Sequence, residues 1–154
     1  NDALYSALVD ALRVGAPRVL IIEDDAATLQ VLTTQLEVTG FTCDGARDGA
    51  TALACVRELR PDLIIMDVSL PNLDGFELVE IFRSEAPTTP LIVFTAQDLT
   101  ERDRSRLTLG PTRHFTKGDT APDRLANAAQ ELLGLAPTNA TNHSSAPSVP
   151  RPIG

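Results

Sequence analysis

The chain has 154 residues, 43% of them hydrophobic and 22% charged, proportions of one globular domain that buries its own core without disulfides or structural metals. A formal net charge of −8 excludes nucleic acid as the principal partner, because affinity for a phosphate backbone needs clustered Lys and Arg. The longest apolar runs, such as Val19 to Ile22 and Leu63 to Met66, fall far short of the roughly 20 residues of a membrane span. No basic region followed by an apolar stretch opens the chain, so no membrane association and a cytoplasmic location are expected.

In chain order, residues 2–14 place Leu4, Leu8 and Leu12 on one side of a candidate helix, within an N-terminal helical extension or linker over 1–16. Residues 18–23 (RVLIIE) read as a buried strand. A helix over 26–39 follows, with Leu29, Leu32 and Leu36 on one face and Gly40 stopping it. A weaker strand over 41–46 leads to Asp48, which caps a helix reaching residue 59 with Ala50, Leu53 and Ala54 inward. Residues 62–67 (DLIIMD) form a third strand, and after the loop 68–74 a helix over 75–85 turns Phe76, Val79 and Phe82 toward the core. Residues 91–95 (LIVFT) are the fourth strand. Asp98 with Glu101 three residues on resembles a capping box, opening a charged, weakly amphipathic helix over 99–109. A short fifth strand over 112–116 precedes a last helix over 121–133, striped by Leu125, Ala128, Ala129, Leu132 and Leu133. Residues 135–154 combine four prolines with Ser, Thr and Asn and read as a disordered tail. Cys43 and Cys55 lack metal-ligand spacing and read as reduced, largely buried thiols.

The strands are continuous apolar runs rather than alternating ones. Repeated strand–helix units of this kind define an α/β fold, a doubly wound five-stranded parallel sheet covered on both faces. Functional groups of such a sheet gather beyond the carboxyl ends of its strands. Glu23, Asp24 and Asp25 stand after the first strand, Asp67 after the third, Thr95 and Ala96 at the end of the fourth, and Lys117 after the fifth. Lys117 is the only lysine among 13 basic residues; a chain that otherwise uses Arg keeps its one compact ammonium here. Carboxylates packed together repel one another unless a cation relieves them. All-oxygen ligands without His or Cys point to a hard ion, Mg²⁺ before Zn²⁺. Lys117 and Thr95 suit phosphoryl oxygens, and Asp67 suits a nucleophile that forms an aspartyl phosphate. Asp25 reads instead as the cap of the first helix.

The stretches RVLIIEDD, PDLIIMDVSLPNLDGFEL, LIVFTA and HFTKG resemble the receiver domain of two-component response regulators and hybrid histidine kinases. The resemblance spans residues 17–134 and implies the flavodoxin-like (βα)5 strand order 2-1-3-4-5. It implies Asp67 as phosphoacceptor, Glu23 and Asp24 as the acidic pair holding Mg²⁺, and Ser69 as the donor of a backbone carbonyl to that ion. Thr95 matches the switch hydroxyl, Lys117 the phosphate-pairing lysine and Ala96 the small residue that leaves access open. Ser69 and Gln97 match positions that tune hydrolysis of the acyl phosphate. Two positions depart from the pattern. His114 stands where many receivers carry a switch Tyr or Phe. Gly118 stands where most carry a cis-proline; because a cis bond before another residue costs about 3 kcal/mol, the Lys117–Gly118 peptide is expected to be trans.

The implied activity is Mg²⁺-dependent transfer of a phosphoryl group to Asp67 from the phosphohistidine of a histidine kinase or histidine phosphotransfer domain. Thr95 then moves inward and shifts the face made by the fourth helix, fifth strand and last helix, which also offers a homodimer surface. Such a chain is a signalling domain that catalyses only its own phosphorylation and dephosphorylation. A degenerate receiver that docks without phosphorylation is the alternative. A haloacid-dehalogenase-type phosphatase is a weaker one, since it needs a second Asp where Ser69 stands. A flavodoxin-like electron carrier needs a phosphate-binding loop where EDDAAT stands, and no P-loop motif occurs.

Overall fold

The computed structural model describes residues 15–135; the candidate helix over 2–14 and the tail beyond 135 lie outside the described residues. The strands are β1 (Arg18–Ile22), β2 (Thr42–Ala46), β3 (Leu63–Met66), β4 (Leu91–Thr95) and β5 (Thr112–Thr116). The helices are α1 (Ala26–Val38), α2 (Gly49–Leu59), α3 (Gly75–Glu85), α4 (Glu101–Arg106) and α5 (Pro122–Leu132). Every strand pairing is parallel, and the order is β2-β1-β3-β4-β5, the order the family resemblance implied.

The continuous apolar strands serve two cores, because successive side chains point to opposite faces. Leu20 and Ile22 of β1 meet Ile64, Met66, Val79 and Phe82 on the side covered by α2 and α3. Val19 and Ile21 meet Leu32, Leu36, Ile65 and Leu125 on the side of α1 and α5. Each fully buried Leu, Ile or Phe contributes about 1.5–3 kcal/mol, so neither face can do without its helices. From β1 the chain crosses to β2 on one side and then to β3 on the other. That reversal opens a crevice beyond the carboxyl ends of β1 and β3.

Aspartates start three of the helices. Asp25 accepts from the Thr28 N–H at 2.9 Å, Asp48 from Thr51 at 2.8 Å and Asp74 from Glu77 at 3.0 Å. In α2, Gly49, Ala52 and Val56 are buried and Leu53 is half-buried. Ala50 and Ala54, expected inward, are exposed; the stripe begins one residue earlier than the apolar spacing suggested. In α3, Leu78 joins Val79 and Phe82 in full burial, while Phe76 is only half-buried.

The fourth helix is shorter than expected and starts later. Thr100, not Asp98, is its cap: the Thr100 hydroxyl accepts from the Asp103 N–H at 3.0 Å, and the Asp103 carboxylate accepts from the Thr100 N–H at 3.0 Å. This reciprocal pair outcompetes Asp98, and the helix ends after Arg106 where Leu107 turns into the core. Cys43 and Cys55 are free but half-buried rather than enclosed. Burial still pushes the Cys43 thiol up to about 12, which keeps it protonated and unreactive at neutral pH.

Gly110 packs directly on the loop after α3. A Cβ there would stand 2.3 Å from the Thr88 carbonyl oxygen and 2.9 Å from that of Thr89. Both obstacles are backbone, so they cannot rotate away. Gly110→Ala is expected to cost about 1–3 kcal/mol, as overpacking does. Gly118→Ala, with nothing within 4 Å of its would-be Cβ, should change stability by less than about 0.5 kcal/mol. Urea denaturation midpoints of the two variants check the contrast.

Candidate functional site

Glu23 and Asp67 each stand one residue beyond a central strand, β1 and β3, and are 2% and 7% exposed. Backbone bonds hold these strand ends level: the Glu23 N–H donates to Ala46 O at 2.9 Å and the Asp67 N–H to Ile22 O at 3.0 Å. Lys117 leaves the end of β5 and lies between the two carboxylates. Its Nζ donates to Glu23 Oε1 at 2.8 Å and to Asp67 Oδ2 at 3.0 Å. The Lys117 N–H also donates to the Thr95 carbonyl at 2.8 Å, tying the end of β4 to the same place. The Lys117–Gly118 peptide is trans.

The other oxygens of the pair are engaged locally. Glu23 Oε2 accepts from the Asp25 N–H at 3.1 Å, and Asp67 Oδ1 from the Ser69 N–H at 3.2 Å. Thr95 is fully buried, and its hydroxyl oxygen accepts from the Gln97 N–H at 3.3 Å. Gln97 Nε2 donates to Ser69 Oγ at 2.7 Å, which bridges the β3–α3 and β4–α4 loops. Ala96 is exposed beside Thr95. The structure thus brings Glu23, Asp67, Thr95 and Lys117 together with the loops carrying Ser69, Ala96 and Gln97. Asp25 is turned away into its capping bonds with Thr28.

Burial pushes the Glu23 carboxyl above its ordinary 4.5; hydrogen bonds from Lys117 and the Asp25 amide oppose this, and the Asp67 charge adds to it. For Lys117, burial works downward, but the hydrogen bonds to Glu23 and Asp67 outweigh it and carry the ammonium above 10.5. Carboxylate oxygens of Glu23, Asp24 and Asp67 all lie within 4.8 Å of one another. This all-oxygen set, with two buried carboxylates sharing one ammonium, fits a hard divalent cation.

His114 is elsewhere. Its Nε2 lies 2.9 Å from the Leu107 carbonyl at the end of α4. Two further carbonyls at this end are held from α3, where Arg83 donates to Arg106 O at 2.7 Å and to Thr108 O at 3.1 Å. The Arg106 guanidinium sits 4.3 Å above the Phe76 ring. The sequence reading missed Arg83, and it missed Arg47, whose Nε and Nη2 both donate to the Asp24 carbonyl, at 3.1 and 2.8 Å. Only the β1–β2 register, which pairs Ile22 with Ala46, shows that Arg47 borders the acidic loop.

A sheet of this order with an acidic crevice and an opposing lysine defines a class of signalling domain. A family model described as the response regulator receiver domain matches residues 19–130, and the chain belongs to that family of two-component signalling domains. The probable transcriptional regulatory protein TcrX of Mycobacterium tuberculosis is 33% identical over 99 residues, covering 64% of this chain and 42% of that protein. Response regulator MprA of Mycolicibacterium vanbaalenii is 30% identical over 129 residues, covering 84% of this chain and 56% of the relative. The chain therefore spans about half the length of these curated relatives. The receiver domain of the Francisella response regulator 1452 superimposes with a TM-score of 0.69 at 32% identity, over 77% of this chain and 97% of the other. The signal receiver domain of a histidine kinase from Syntrophus aciditrophicus gives 0.66 at 32% identity, over 77% and 91%. Among the described residues, no helix is long and apolar enough to cross a membrane.

Lys117→Ala would leave two buried carboxylates without their counter-ion. The expected loss is about 1–3 kcal/mol at pH 7, below the 3–5 of a fully buried pair because the lysine reaches solvent. Glu23 is a carboxyl whose folded-state pKa is raised. Its contribution is fully present below 4.5 and is lost as pH rises through the raised value. Removing Lys117 raises that value further, so the deficit of the variant should shrink as pH falls from 7 toward 4.5. Guanidinium unfolding at several pH values measures it.

Proposed function

We propose that Asp67 accepts a phosphoryl group from the phosphohistidine of a histidine kinase or histidine phosphotransfer partner. The observation that carries this reading is the single ammonium of Lys117 held between the buried carboxylates of Glu23 and Asp67. Asp67 attacks through a carboxylate oxygen; the new O–P bond forms as the P–N bond breaks, and the electron pair stays on the imidazole nitrogen of the donor. Glu23, Asp24, Asp67 and the backbone carbonyl of Ser69 would hold Mg²⁺, which when bound supplies positive charge against the phosphoryl oxygens. Lys117 exchanges its bond to Asp67 for one to a phosphoryl oxygen, and the Thr95 hydroxyl donates to another. Ala96 keeps the approach to Thr95 open. The Gln97–Ser69 bridge sets how easily water reaches the acyl phosphate, which makes these two residues modulators of its lifetime.

The signal leaves through the loop after Thr95. Movement of that hydroxyl draws on residues 96–100 and so on α4, whose last carbonyls are tied to α3 and to His114 of β5. His114 accordingly follows the Leu107 carbonyl rather than turning freely as an aromatic switch residue would. The face of α4, β5 and α5 is the output surface, for a partner or a second copy of the chain. The receiver unit occupies residues 17–134 and works in the cytoplasm.

The test is incubation with Mg²⁺ and acetyl phosphate, or phosphoramidate, followed by intact mass. One added phosphoryl group is expected, absent in Asp67→Asn and after chelation. Failure of the parent protein to gain it from either donor or from a phosphorylated kinase would leave only a phosphorylation-independent docking module. Thr95→Ala should still be phosphorylated but should lose the phosphorylation-induced amide shifts of Arg106, Leu107 and Thr108 in a nitrogen–proton correlation spectrum.

A further inference from the structure

We infer that Arg47 is a positioning residue for the divalent-cation site, acting on the backbone of the acidic loop. Arg47 is the single residue between the end of β2 and the Asp48 cap of α2. Both neighbours are fixed: Ala46 O accepts from the Glu23 N–H, and the Asp48 carboxylate accepts from Thr51. From this anchored position the guanidinium reaches across to the β1–α1 loop. It places two N–H donors on one oxygen, the carbonyl of Asp24.

That carbonyl belongs to the peptide unit joining Asp24 to Asp25. The N–H of the same unit donates to Glu23 Oε2 at 3.1 Å. The unit is therefore held from both ends, by a carboxylate on one side and a guanidinium on the other. Its plane is fixed, and with it the direction in which the Asp24 side chain leaves the backbone. Asp24 makes no side-chain bond of its own to the described neighbours of the site, and its carboxylate is one of the three that converge. Lys117 holds the Glu23 and Asp67 carboxylates directly, whereas Arg47 acts on Asp24 through its backbone carbonyl. A groove-spanning contact of this kind orients a ligand without touching the ion.

Charge cannot explain the arrangement. A guanidinium beside a cation site repels the cation, so an Arg47 acting through charge alone would weaken Mg²⁺ binding. A fork on the Asp24 carbonyl strengthens binding by sparing the loop the entropy of ordering. The two roles predict opposite signs, which makes them separable.

The inference rests on the Mg²⁺ reading above. Its test is titration of the metal-free full chain with MgCl₂, followed by amide resonances of residues 23–25 and 67–69, for the parent, Arg47→Ala and Arg47→Lys. Both variants should bind roughly tenfold more weakly, the low end of the range for groups that orient metal ligands. Lys keeps the charge but cannot fork. The Asp25 amide should move in both variants before any metal is added, while melting temperatures and distant amides stay at parental values, as befits an exposed side chain. Arg47→Ala binding as tightly as the parent, or more tightly, with Arg47→Lys unchanged, would overturn the positioning role and leave Arg47 a mere charge. Shifts spread across the whole spectrum would overturn it equally, as a general loss of structure. A parent protein that binds no Mg²⁺ removes the metal reading itself, and the inference with it.

Discussion

One ammonium stands between two buried carboxylates, and the crevice is organised around that fact. Glu23 and Asp67 are nearly without solvent, where uncompensated charge costs several kcal/mol. Lys117 makes their burial tolerable, and it reaches them from 94 and 50 residues away in sequence. The bonds therefore depend on β1, β3 and β5 ending at one level, and the level is set by the register of a sheet with an apolar layer on each face. Because the ammonium divides itself between two partners, it can give up one of them to an incoming anion without leaving the other bare.

The same residue type plays two parts along this edge. Asp25 and Asp74 are exposed and Asp48 is half-buried, and all three spend their oxygens on the first turn of a helix. Asp67 is buried and spends one on Lys117. Nothing in the letter D separates these roles; position does, since the capping residues stand just before a helix and Asp67 stands just after an apolar strand.

This is why so much of the site was legible in the sequence. RVLIIE and DLIIMD end in acids that a parallel sheet must bring to one edge, and a lone lysine in an arginine-rich chain announces an ammonium that matters. What was not legible depended on competition between near neighbours or on contacts across the fold. Asp98 was expected to start α4, and the reciprocal bonds of Thr100 with Asp103 start it two residues later instead. The Asp48 cap of α2 was legible but its buried face was not: Ala52 and Val56, rather than Ala50 and Ala54, turn into the core. Arg47 acts on one backbone carbonyl and Arg83 on two, each 23 to 25 residues away, and carbonyls leave no mark in a sequence.

The end of α4 has a consequence for how this molecule breathes. The helix has six residues and none of them is buried. What holds it are the buried Leu107 at its end, side chains of α3 and β5 bonded to three consecutive carbonyls and one guanidinium on a ring. Each such bond is exchanged for water at a net cost of about 0.5–1.5 kcal/mol, whereas detaching α3 would expose Leu78, Val79 and Phe82 together. Local opening is therefore cheapest at α4, where the buried side chain at stake is Leu107 at the helix end. In hydrogen–deuterium exchange, its amides would mark the first foldon to open.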